Sequence, residues 1–136
     1  MIKQPTRLYT AVAGIFLLIQ GTSTLAFRLY PPLDQAFPAL LAITRMMPLH
    51  SLLHIGTGLL AVVILFRGGE RGSLWFAAGF GLFYTGLGFV GMFTGQPAGL
   101  EMQPFDHPIH FLLGGFGLWV AGLDFYRSAR RKKASL

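Results

Sequence analysis

Four residues with metal-ligating chemistry stand in two matched pairs. "PLHSLLH" places His50 and His54 four apart, and "PFDHPIH" places Asp106 and His110 four apart. On a helix such pairs share a face, about 5–6 Å apart. Imidazole nitrogen suits borderline metals and a carboxylate offsets part of the ion's charge. Three histidines and one aspartate would therefore serve zinc, iron, copper or manganese. Iron or copper would add redox chemistry. His107 lies about 100° around the helix from Asp106 and is a poorer ligand. Plainer roles stay open. Asp106 can cap a helix, with Pro108 in the first turn where a missing amide does little harm, and His50 and His54 can be interfacial hydrogen-bonders.

Haem b is the rival cofactor. Two histidines one turn apart cannot ligate opposite faces of a porphyrin, but His54 and His110 from different helices can. Nearby glycines would make room, and Arg28 or Arg45 would meet the propionates. This reading leaves His50 and Asp106 without a role.

The elements that must position these residues are apolar. The 136-residue chain is 53% hydrophobic and 12% charged, with a mean hydropathy of +0.57, against about 25% charged in soluble domains. Four runs approach the roughly 20 apolar residues that a spanning helix needs: residues 8–27, 49–66, 74–93 and 109–125. The expectation is an all-α, polytopic transmembrane four-helix bundle forming one integral membrane domain over residues 1–136, with a basic tail at 126–136. "FPALLAITRMM" reads as an amphipathic turn at the interface. The absence of cysteine excludes disulfides, thiolate sites and iron–sulfur clusters.

The net charge of +6 might suggest nucleic acid, but the basic residues lie outside the apolar runs. The expected partner is the lipid bilayer, with other membrane subunits as an alternative and no nucleic acid. Lys3, Arg7, Arg67, Arg71 and five tail residues fall on one side; Arg28 and Arg45 fall on the other. The positive-inside rule then puts both termini in the cytoplasm and the histidines toward the outer face.

The two histidine motifs also align with each other, His50 on Asp106 and His54 on His110, each followed by glycine-rich apolar sequence. Gly14 and Gly21 in the first run invite pairing with Gly79 and Gly86 in the third. Two helical hairpins repeated in parallel are expected, related by an axis along the membrane normal. Runs two and four would pack face to face along a seam containing Gly56, Gly58, Gly114, Gly115 and Gly117.

A chain with "PLHSLLHIGTGL" opening its second span and "DHPIHFLLGGFGL" opening its fourth resembles the bacterial membrane family called domain of unknown function 4383. The resemblance covers about residues 8 to 126. It implies four spans, a bacterial cytoplasmic membrane and the motif positions His50, His54, Asp106 and His110, but no reaction. Pro108 inside D-x-x-x-H departs from the pattern. Three functions are compatible with these residues: a metal-binding or redox membrane protein, an accessory subunit of a membrane complex, or a metal enzyme with an open coordination position.

Overall fold

The computed structural model describes residues 4–39, 47–94, 100 and 102–134. Its regular elements are all helical: α1 (Pro5–Leu29), α2 (Pro31–Ala36), α3 (Pro48–Val63), α4 (Gly69–Thr94) and α5 (Asp106–Ala134), with a π-helical segment at Ile64–Gly68 between α3 and α4. Proline opens α1, α2 and α3, where the first amides have no helical partner in any case. Pro108 falls in the first turn of α5 and the helix runs through it. Three helical runs, Pro5–Leu29, Pro48–Thr94 and Asp106–Arg131, are long and apolar enough to cross a membrane.

The 47-residue middle run is not straight. His54 and Tyr84 are thirty residues apart, which is about 45 Å along an ideal helix, yet their ring centroids lie 6.1 Å apart. The reversal occurs where the π segment ends, at Gly69, with φ +57°. A side chain there would be strained, so glycine permits the chain to turn without a separate loop. The expected break between runs at 67–73 is thus a helical turn. Likewise the basic tail continues α5 as far as Ala134. Residues 31–36, between the first two apolar runs, form α2.

The helices pack as two hairpins, α1 with α3 and α4 with α5, and α1 and α4 meet between them. Tyr9, Ala13 and Leu17 of α1 form the core with Phe76, Phe80 and Tyr84 of α4. The two hairpins bury equivalent positions. In α1 these are Thr6, Tyr9, Thr10, Ala13, Gly14, Leu17, Gly21 and Thr24. In α4 they are Ser73, Phe76, Ala77, Phe80, Gly81, Tyr84, Gly88 and Gly91, each sixty-seven residues further on. His50, His54 and Gly58 of α3 likewise match buried Asp106, His110 and Gly114 of α5, fifty-six residues on.

This register corrects two expectations. Gly14 and Gly21 correspond to Gly81 and Gly88, whereas Gly79 and Gly86 face open space. Glycine recurs so often in this run that spacing alone selected the wrong pair. Nor do α3 and α5 share a glycine seam. Gly58 faces Leu18 and Gly14 of α1, Gly114 faces Gly81 and Thr85 of α4, and Gly56 and Gly115 face nothing. Each small-residue seam joins the two helices of one hairpin. Lys3, Arg45 and residues 40–46 of the expected interfacial turn lie outside the described residues, as does most of "TGQPAGLEMQ".

The outward surface is apolar. Ile19, Leu52, Leu82, Phe93 and Leu112 are all more than half exposed. Exposed large apolar side chains line every long helix, whereas a soluble monomer rarely shows contiguous apolar patches above a few hundred Å².

Candidate metal centre

The first turns of α3 and α5 bring the histidines into the interior at one end of the bundle. His50, His54 and His110 are 0–2% exposed. The helix spacing puts His50 beside His54 on one face of α3, with ring centroids 4.7 Å apart and nearly perpendicular. His110 arrives from α5, 5.9 Å from His50 and 6.3 Å from His54. Although the two helices do not pack along each other, the three imidazoles bridge the space between them.

Close approach within each hairpin sets this position. A Cβ on Gly21 would stand 3.0 Å from the Cβ of His54 and 2.7 Å from the carbonyl oxygen of Ser51. A Cβ on Gly88, its counterpart, would stand 3.3 Å from the Cβ of His110. Thr24 and Ser51 share a buried 2.8 Å hydrogen bond that ties α1 to the first turn of α3.

One nitrogen from each histidine lies within 4.8 Å of the other two. Nitrogens on a tetrahedral zinc would stand about 3.4 Å apart, given bonds of about 2.0–2.1 Å. The three nitrogens are thus at most about 1.4 Å wider apart than a bound zinc would hold them. Both nitrogens of His50, both of His54 and Nδ1 of His110 are buried without a hydrogen-bond partner. Each such atom costs about 1–3 kcal/mol when left unpaired, whereas a structural zinc gains on the order of 10 kcal/mol from its ligands. Ligation would relieve one nitrogen of each histidine.

Asp106 does not join the three-histidine group. It is 4% exposed, and its Oδ2 accepts a 2.7 Å hydrogen bond from the backbone N–H of Gln103. In return the Asp106 N–H donates to the Gln103 carbonyl. The carboxylate therefore holds the turn that precedes α5 instead of capping its later amides. It still lies within electrostatic reach of His50 and His107. His107 is half-buried and stands apart from the group, over Gly91.

Tyr84 is the neighbour that sequence reasoning missed. Its side chain is fully buried, its hydroxyl has no partner, and its ring packs edge-on against His110 at 4.8 Å. The available signal was a polar pair, Tyr84–Thr85, in the middle of an apolar run, where polar groups are rarely neutral bystanders. Tyr84 and His50 also bear on haem. Tyr84 stands 4.8 and 6.1 Å from His110 and His54, and His50 stands 5.9 and 4.7 Å from them. A porphyrin held by His54 and His110 would meet both of these rings.

No family model, curated protein or solved structure matches the chain.

Proposed function

We propose that this chain is an integral membrane protein that binds a transition metal ion through His50, His54 and His110. The observation that carries the reading is the set of unpartnered imidazole nitrogens, buried together and within 4.8 Å across two helices. Zinc, copper and iron all accept such ligands. Three histidines leave one position on a tetrahedral ion, open to water, a substrate atom or Asp106. The nearby carboxylate also offsets the ion's charge in a medium where an unbalanced charge is costly.

Four spans in two parallel-repeated hairpins accompany this reading, supported by the matched burial of the two halves and the reversal at Gly69. The basic bias of the flanks places both termini in the cytoplasm and the metal toward the outer face. Membership of the family that the motifs resemble is part of the same proposal.

Elemental analysis of protein extracted from membranes in detergent tests the function. About one zinc, copper or iron per chain is expected, lost from His54→Ala. Metal-free protein that cannot be loaded would instead favour an accessory subunit whose exposed aromatics pack on partners. A C-terminal reporter that is active only after export would overturn the orientation.

A further inference from the structure

The opposite end of the bundle carries a second site. Between α1, α4 and α5 lies a cavity of about 270 Å³ whose walls include Arg71, Arg127 and Arg131. Arg127 and Arg131 are one turn apart on α5 and so share a face. The same cavity holds two acids, but both already have uncharged donors. The Thr6 hydroxyl donates to Asp124 Oδ2 at 2.7 Å, and the Gln4 side-chain amide donates to Glu70. Among the described residues, no carboxylate is within ion-pair distance of the three guanidiniums.

An apolar groove of about 360 Å³ adjoins this cavity. It runs between α1 and α5, past Leu8, Val12, Phe116 and Trp119, and Arg127 lines both spaces. A matching groove lies on the opposite side of the contact between the hairpins, between α3 and α4, where Trp75 and Gly79 stand at the positions of Leu8 and Val12. Among the described residues, no charged side chain lines that second groove. The fold thus repeats the apolar slot, and the α1–α5 copy adjoins a cavity in which three arginines outnumber two acids.

From this junction we infer that the α1–α5 groove is a binding site for one anionic phospholipid. Its phosphate lies among Arg71, Arg127 and Arg131, and an acyl chain lies along Val12 and Trp119. Arginine recognises phosphate through planar, paired donors, and basic pockets between spanning helices suit anionic headgroups. A free phosphate ion would use the cavity and leave the groove unexplained. The inference rests on the membrane-spanning reading and is independent of the metal.

Native mass spectrometry tests it, on the full chain released from bilayer discs of phosphatidylcholine containing a minor fraction of phosphatidylglycerol. One retained phosphatidylglycerol per chain is expected, in preference to phosphatidylcholine. Arg127→Gln should lower that retention about tenfold, the effect of losing one charge-assisted contact. Val12→Trp, which fills the groove and leaves the arginines in place, should also remove the lipid. Thermal unfolding in detergent should be unchanged in both variants, which shows that they fold. Equal retention of the two lipids would overturn the proposal, as would indifference to Arg127→Gln. Displacement by inorganic phosphate but not by chloride at equal ionic strength would overturn it in favour of a soluble-anion site. If the chain cannot be recovered in the membrane fraction, the spanning reading itself fails and this proposal falls with it.

Discussion

The two hairpins bury the same positions and fill them differently. Leu17 in α1 corresponds to Tyr84 in α4, His50 in α3 to Asp106 in α5, and Thr24 to Gly91. Thr6 and Ser73, and His50 and Asp106, are polar in both halves but differ, whereas His54 and His110 are the same polar residue at the matched buried position. The repeat therefore supplies a scaffold with one imidazole from each half facing the middle. The departures from symmetry then make the site one-sided, with a third histidine contributed by α3 and a carboxylate by α5. Sites between repeats are where membrane folds commonly place their ligands.

The largest effects should come from the symmetric pair. His54→Ala or His110→Ala is expected to abolish metal binding, read by equilibrium titration with zinc in detergent. His50→Ala keeps the matched pair His54 and His110 and should weaken binding by at least about 100-fold, on the scale of lost ligands and their supports. Equal affinities for all three variants would mean that the halves do not contribute as their positions imply.

Next in size is the asymmetric carboxylate. Asp106→Asn keeps the shape and removes the charge, so zinc affinity should drop about 10- to 100-fold. His107→Ala should change it little, because that ring packs over Gly91 and brings no negative charge to offset the ion. A larger loss from His107→Ala than from Asp106→Asn would reverse these roles.

The close approaches come third. Gly21→Ala puts a methyl 2.7 Å from the Ser51 carbonyl oxygen, which is backbone and cannot step aside. Overpacking of this kind costs about 1–3 kcal/mol. Gly88→Ala meets side-chain atoms at 3.3 Å and should cost less. Thermal unfolding of the metal-free proteins would rank the two. The smallest effect concerns Tyr84. Tyr84→Phe removes a buried hydroxyl that has no partner and should leave metal-free stability unchanged or raise it by about 1 kcal/mol. A clear loss of stability would show that the hydroxyl is bonded.

Much of this arrangement is legible in the residues themselves. Apolar runs flanked by arginine and lysine mark the helices, and the rare residues in repeated register mark the site. His50, His54 and His110 converge because helix spacing and the internal repeat both demand it. Asp106 was harder to place. A carboxylate at a helix start can turn toward a metal or toward the backbone, and the Gln103 amide decides between them only in three dimensions. The glycine register was ambiguous for a related reason. Residues 79, 81, 86 and 88 are all glycine, and only packing distinguishes those that touch a neighbour. Tyr84 was hidden because its counterpart, Leu17, is apolar, so comparing the halves by their shared residues passed over it.

X-ray absorption at the metal edge of the zinc-loaded protein tests the central claim most directly. With one ion per chain, the spectrum should show three imidazole nitrogens and one further oxygen or nitrogen neighbour at about 2.0–2.2 Å. The imidazole scattering should disappear in His54→Ala. A wild-type protein that holds no stoichiometric ion, or a spectrum with fewer than two imidazoles that is the same in His54→Ala, would contradict a metal centre built between the two hairpins.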